Sequence, residues 1–360
     1  MKELKDTMFG KIALIEYRYS KIIVTSMIIL TIFLSYGALN LRFESNFMKE
    51  IPQNFDVVKT QNLIDSEFGE EEGIIVILET DLDVVNDIRN KQSLESIYEL
   101  EKRLKARPEI IEVIGPATVY YSIFGEIPSD EVTLRDVAKT MPGLISKDYT
   151  SALVMARMSG VRGEEEIQAA IDIVKEETEK TQLYGLKYKL TGSPIINKTI
   201  LKILREDAIK TMAISAIIVF ILLSLILKYK SFFVIIPLLC GVFWTVGILS
   251  YLGISISLVT ASVGAIVIGL GAEYGIFMIA RYNEEARKGK SNEERVVAMV
   301  AGVGIGTIGS SSTTIAGFLS LALSSMPAMV HLGTALSLGI VTCLIGALVF
   351  LPSIMALREW

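Results

Sequence analysis

Histidine and cysteine are nearly absent: the 360 residues hold one His, His331, and two Cys, Cys240 and Cys343. So few ligands exclude a disulfide framework and a Cys/His metal site. Both cysteines lie in apolar stretches and read as small buried hydrophobes. His331 opens the last apolar segment, close to Pro327, and reads as an interfacial residue. A basic excess is missing as well. The net charge is −5, from 35 Lys and Arg against 40 Asp and Glu, which removes the basic patch that nucleic-acid binding calls for. No phosphate loop is visible: GKS at 289–291 resembles the end of one, but Glu284 stands where a glycine is required. No aspartate lies deep in an apolar segment, so GLGAE (269–273) carries no aspartyl protease pair. NKT at 197–199 is a glycosylation sequon, a pattern common by chance.

What the chain has in quantity is apolar sequence, with 51% hydrophobic residues and a mean hydropathy of +0.49. These residues cluster. Six stretches reach the ~20 residues that cross a bilayer: roughly 21–41, 208–227, 232–251, 256–280, 301–323 and 330–357. The apolar core of the first is longer than that of a signal peptide, so it reads as a retained anchor. Basic residues in the short connections orient the set. Lys2, Lys5, Lys11, Arg18 and Lys21 precede the first span; Lys228 and Lys230, then Arg281 to Arg295, fall between later ones; Arg358 follows the last. The opposite loops, 252–255 and 324–329, hold neither Lys nor Arg. The expectation is a multi-pass protein of the cell membrane with both termini cytoplasmic. Its parts are a cytoplasmic segment 1–20, span 21–41, an extracytoplasmic domain 42–207, a five-helix domain 208–357 with a connector at 281–298, and a C-terminus 358–360.

The 42–207 region predicts one α+β domain. GIIVILET (73–80) is a nearly continuous apolar run, as a strand buried on both faces shows. Over 92–107, Leu94, Ile97, Leu100 and Leu104 share one helical face. Strand-like stretches follow at 109–115 and 151–158, a second amphipathic helix at 164–180, and an alternating strand at 184–192. The order is β-α-β, an insertion (120–149), then β-α-β, a ferredoxin-like unit. Within the insertion, Ser129 and Asp130 are capping candidates for a short helix at 131–140.

One membrane segment carries chemistry. Glu273 stands about 12 Å along its helix from Arg281, near mid-bilayer, and is the one acidic residue deep in any span. A carboxylate there costs about 2.5–3.5 kcal/mol on insertion scales. It can be a protonated structural tie, or it can load and release a proton as its surroundings alternate between wet and dry. Tyr274 follows and can exchange a hydrogen bond with a carboxyl on a facing helix. Gly271 and Gly275 form a small-xxx-small pair around Glu273. The fifth span supplies the hydroxyl run 310–314, and Gly302, Gly306, Gly309, Thr313 and Gly317 give it a smooth face. The glycines alone are accounted for by helix packing; carboxyl, phenol and hydroxyls together favour proton transfer.

These features resemble the resistance–nodulation–division (RND) superfamily, and within it the MMPL-type lipid exporters and archaeal hydrophobe/amphiphile efflux proteins. One span, a large outer domain and five further spans make one RND half. The fourth-span pattern of that superfamily, a Gly-rich run, Asp-Tyr, then Arg-Tyr, is matched by Gly269, Gly271, Glu273, Tyr274, Phe277, Arg281 and Tyr282, followed by Glu284 and Glu285. The fifth-span Thr-Thr-x-x-Gly-Phe is matched by Thr313, Thr314, Gly317 and Phe318, the closing Leu-Pro by Leu351 and Pro352, and Phe68-Gly69 fits the outer domain.

The resemblance implies a proton-driven exporter of hydrophobic or amphiphilic molecules, not an enzyme. No cofactor is implied beyond the proton gradient, with sodium an alternative ion. The proton-relay role of the superfamily's Asp carries to Glu273, with Tyr274, Ser311, Thr313 and Thr314 as its network and Gly271, Gly275, Gly309 and Gly317 as packing positions around it. Glutamate replaces the usual aspartate here, adding a methylene. The superfamily's twelve spans in two halves are represented by one half, so a homodimer would restore the arrangement. Membrane lipids or amphiphilic cargo are the expected partners. Two other readings share this architecture: a lipid- or sterol-sensing membrane scaffold, and an accessory of protein translocation.

Overall fold

A computed structural model of the chain describes residues 2–44, 50–68, 73–158 and 164–357. Gly69 and Arg358, used above, lie outside the described residues, as does the C-terminal segment 358–360. The chain divides into two compact units, Asn54–Ile200 and the pair Met1–Gln53 with Leu201–Trp360.

At the N-terminus, α1 (Lys2–Asp6) leads into α2 (Met8–Arg18), capped by the Thr7 hydroxyl, which accepts from the Gly10 N–H at 3.0 Å. After one distorted residue, Tyr19, α3 (Ser20–Ala38) continues. The second unit begins with α4 (Asp56–Phe68) and β1 (Gly73–Thr80). Next come α5 (Lys91–Lys105), β2 (Ile110–Ile114), α6 (Pro116–Phe124), α7 (Glu131–Lys139), β3 (Ser151–Met158), α8 (Glu164–Lys180) and β4 (Leu186–Thr191). The strands form an antiparallel sheet in the order β2-β3-β1-β4. Ile77 of β1 faces Leu153 of β3 on one side and Lys189 of β4 on the other.

Burial alternates strictly along β1 and β3. Ile74, Val76 and Leu78 face a core shared with Leu94, Ile97, Leu100 and Leu104 of α5 and Val174 of α8. The continuous apolar run at 73–80 is therefore buried on one face, and Ile75 and Ile77 are half-exposed on the other. The reason is that α5 and α8 pack together: Glu177 of α8 accepts from Arg103 Nε at 2.9 Å and Arg107 Nε at 3.1 Å, both on α5. In the sequence between them, α7 starts on Asp130, whose carboxylate accepts from the Thr133 N–H at 2.9 Å.

Glu101, on α5, is buried, and its carboxylate accepts from the N–H groups of Ala117 (3.1 Å) and Thr118 (2.6 Å) at the first turn of α6. Burial pushes its pKa up to about 7, against the pull of those hydrogen bonds. A carboxyl raised in the folded state favours the fold when neutral, so its contribution is full below the unfolded value and is lost as pH rises through about 7. At 1.36 kcal/mol per unit this is at most ~3 kcal/mol. Thermal unfolding of the intact chain between pH 5 and 8 is expected to show this loss, with a shallower slope for Glu101→Gln; equal slopes would remove the assignment.

The remaining helices are α9 (Ser193–Leu227), α10 (Ser231–Tyr251), α11 (Val263–Arg287), α12 (Asn292–Ser320), α13 (Pro327–Ile345) and α14 (Leu351–Ala356). Among the described residues, five stretches are long and apolar enough to cross a membrane: Ser20–Ala38, Ser193–Tyr251, Val263–Arg287, Asn292–Leu323 and Pro327–Ala356. The second contains α9 and α10, between which Lys228 takes a left-handed φ of 55° in the turn Lys228–Lys230. A π-helical turn, Gly346–Phe350, joins α13 to α14. The core of this unit is built from α10 to α13, including Val234, Leu238, Val267, Tyr274, Val300, Leu336 and Ile340. Polar groups inside it are paired across helices: the Thr245 and Thr342 hydroxyls lie 2.7 Å apart, and Trp244 Nε1 donates to Thr31 Oγ1 at 2.9 Å.

Candidate functional site

Glu273 sits in the middle of α11. Three glycines within six residues of it weaken the helix by roughly 1 kcal/mol each relative to alanine. Close packing offsets that at two of them. A Cβ at Gly271 would lie 2.6 Å from Leu238 Cδ1 and 2.9 Å from Cys343 Cβ; one at Gly275 would lie 2.3 Å from Val234 Cγ1. These glycines thus seat α11 against α10 and α13. Gly275→Val should overpack this contact and cost about 1–3 kcal/mol, read as a lowered unfolding temperature in detergent. An unchanged value would show that α10 is not held there.

The opposite side of α11 is open. Ile266, Gly269, Phe277 and Ala280 are exposed there, Glu273 is half-buried among them, and a Cβ at Gly269 would meet nothing within 4 Å. The Glu273 carboxylate makes no hydrogen bond or ion pair among the described residues. Tyr274 is turned about 100° away around the helix. Its ring is buried in the bundle core. Within one chain the two side chains therefore occupy different faces.

Helix α12 begins with a capping box, in which the Glu294 N–H donates to the Ser291 hydroxyl at 3.3 Å and the Ser291 N–H donates to the Glu294 carboxylate at 3.1 Å. Val296, Val300, Gly304, Thr307 and Ser311 make its buried face. The hydroxyl run is split by this geometry. Ser311 is fully buried and donates to the Thr307 carbonyl at 2.8 Å. Thr313 is exposed and Thr314 half-buried; both donate back to the Ser310 carbonyl, at 2.7 and 3.1 Å. None of the three reaches Glu273. Gly309 and Gly317 pack on nothing among the described residues, because a Cβ at either would have no neighbour there within 4 Å. With Gly306, Ser310, Ser312, Thr313 and Ala316 they form an exposed face of small residues. A Cβ at Gly302 would lie 3.2 Å from Arg281 Nε, so α11 and α12 meet there. Eight residues along each antiparallel helix from that contact stand Glu273 and Ser310, about 12 Å away at one level.

At the end of α11, within the charged connector expected at 281–298, the structure shows an ion-pair cluster. Glu285 is fully buried and accepts ion pairs from Arg281 (3.0 Å), Lys288 (3.0 Å) and Lys290. The Tyr282 hydroxyl donates to Asn292 at 2.8 Å, and Asn292 donates to the Met355 carbonyl at 3.3 Å, tying α11, α12 and α14. The signal was present in the i, i+4 spacing of Arg281 and Glu285.

An apolar cavity of about 580 Å³ lies between the segment 38–43 and helices α9, α10 and α11. Arg205, Ala208, Ile209 and Met212 line it from one face of α9. Arg205 is the one charged lining residue; its guanidinium stands 5.3 Å from the Phe43 ring centroid and forms no ion pair among the described residues.

The MMPL family model matches residues 50–358. MJ1562 of Methanocaldococcus jannaschii, named as a membrane protein, is 29% identical over 346 residues, covering 92% of this chain and 89% of the relative. MmpL12 of Mycobacterium tuberculosis, named as a transport protein, is 27% identical over 270 residues, and the siderophore exporter MmpL5 of the same species is 26% identical over 254. The chain spans about a quarter of those two: the matches cover 69% and 67% of it but 23% and 26% of the relatives.

Proposed function

The chain belongs to the MMPL family of the RND superfamily, and from that premise we propose that it is a proton-coupled membrane transporter of lipids or other hydrophobic and amphiphilic molecules. The observation that carries the proposal is the Glu273 carboxyl: it is an ionisable group at membrane depth, on an open helix face and without a partner among the described residues. An ionisable residue kept there at such a cost is functional by default. Relatives named as a transport protein and a siderophore exporter support the class of activity.

In this reading α9 and α10 cross separately, giving six spans with α3, α11, α12 and the α13–α14 pair. Both termini are cytoplasmic, and the region 42–207 lies outside the cell membrane. The strand order β2-β3-β1-β4 with two β-α-β halves supports a ferredoxin-like fold for the sheet unit. Two copies join through the open faces of α11 and α12, where Gly309 and Gly317 permit close approach. An isologous contact brings Glu273 and Thr313 of each copy towards the other. Protonation then does work because the two conformations bind the proton with different affinity. The proton gradient supplies the energy, with sodium the alternative ion, and no cofactor takes part. The cavity at Arg205 admits the apolar part of a cargo.

A second reading, a lipid sensor without ion flux, is favoured by that cavity alone. Reconstitution distinguishes the two: cargo movement driven by a pH gradient supports transport, and lipid binding with no gradient-driven movement supports the sensor.

A further inference from the structure

Helices α2 and α3 follow one another with one distorted residue, Tyr19, between them. The Tyr19 N–H donates to the Ile15 carbonyl at 2.8 Å and the Ile23 N–H to the Tyr19 carbonyl at 3.0 Å, so α3 starts from the residue on which α2 ends. With 11 residues in α2 and 19 in α3, the two helices rise about 16 and 28 Å at 1.5 Å per residue. A hydrocarbon core is ~30 Å thick. Helix α3 alone nearly spans it, which leaves α2 at the headgroup layer.

One stripe runs the whole length. Met8, Ile12, Ile15, Tyr19, Ile22, Ser26, Ile29, Phe33 and Tyr36 recur at alternating intervals of four and three, and all are exposed. From Met8 to Ile22 the exposure lies between 36% (Ile12) and 68% (Met8). The packed face is the other one, made by Gly10, Ala13, Glu16 and Ser20. Between residues 8 and 22 the charged residues are Lys11, Glu16, Arg18 and Lys21. Glu16 is buried, whereas the three cations are exposed and form no ion pair among the described residues. By 100° per residue, Lys11 and Arg18 project about 60° and 80° from the centre of the Met8–Ile22 stripe, along one rim.

Two kinds of open face thus exist in this unit, and their side chains distinguish the occupants. Helices associate in membranes through small residues, as on α12. The α2–α3 stripe is made of large side chains with a basic rim, which suits lipid: apolar groups enter the acyl boundary while Lys and Arg reach the headgroups. We propose that α2 and the start of α3 form a binding surface for anionic lipid headgroups of the leaflet on the N-terminal side. The proposal rests on the reading of this unit as membrane-embedded; it does not require transport.

The test uses the full chain in nanodiscs made with increasing fractions of phosphatidylglycerol in phosphatidylcholine, and measures the lipids retained on extraction by native mass spectrometry. The wild type should retain phosphatidylglycerol preferentially, and less so as salt is raised. At about 1 kcal/mol per basic residue near an anionic surface, the triple variant Lys11→Gln, Arg18→Gln, Lys21→Gln should lower that preference by up to about 100-fold. The variant Met8→Ser, Ile12→Ser, Ile15→Ser should weaken retention of both lipids alike. Unchanged preference in the charge variant would overturn the proposal. So would a serine variant that changes oligomeric state while lipid retention stays the same, because a second copy would then cover the stripe. Lipid preference without proton flux would leave this surface standing and remove the transport reading; flux without preference would do the reverse.

Discussion

Glu273→Gln is expected to give a folded, membrane-inserted chain in which gradient-driven transport falls to background. Glutamine keeps the size and removes the titration. Because Glu273 makes no hydrogen bond or ion pair among the described residues, its charge is not needed to hold them together, and the unfolding temperature should change little. The effect on coupling is large for the opposite reason. If the two conformations bind the proton with 100-fold different affinity, protonation biases them by about 2.7 kcal/mol, and the amide supplies none of it. Glu273→Asp keeps the carboxyl but shortens it by a methylene, so partial coupling is expected. Transport in reconstituted vesicles under an imposed pH gradient measures both variants. A glutamine variant as active as the wild type would show that the carboxyl is a structural group.

The second large effect is at Gly309. A Cβ there has no neighbour within 4 Å among the described residues, and leucine is a better helix former than glycine by close to 1 kcal/mol. Gly309→Leu should therefore fold at least as well as the wild type. Two copies meeting on this face could no longer approach closely, so dimer and transport should be lost together. Light scattering of the purified protein, paired with the vesicle assay, reads this out. A monomeric variant that still transports would place the working unit in one chain; an intact dimer would move the interface elsewhere. Gly275→Val gives the contrast, because its Cβ would strike Val234 and disturb the bundle itself.

This contrast shows where sequence reading reached and where it stopped. Small residues at intervals of three and four announced packing faces on both helices. Spacing does not say what a face packs against: Gly271 and Gly275 meet α10 and α13, whereas Gly309 and Gly317 meet nothing among the described residues. Likewise a hydroxyl run at 310–314 reads as one cluster, yet helical geometry sends Ser311 into the core and Thr313 out of it. In the sheet unit, the amphipathic helices at 92–107 and 164–180 and the strand at 151–158 were legible because one-sided burial imposes its own period on the residues. Helix α6 was not read, since PATVYYSIF is apolar all round; Pro116 at its start and Gly125, at φ 74° past its end, were the usable signals. Helix α2 falls within the segment 1–20, for which the sequence predicts a cytoplasmic location and no helix. Its buried residues, Gly10, Ala13 and Glu16, include a charged one, which masks the apolar face that would have marked it.

The most direct test of the account is proton uptake itself, followed with a pH-sensitive dye inside vesicles carrying the wild type or Glu273→Gln, with candidate amphiphiles supplied. The account predicts amphiphile-dependent proton flux through the wild type and none above the empty-vesicle leak through the variant. Equal flux through both would contradict it.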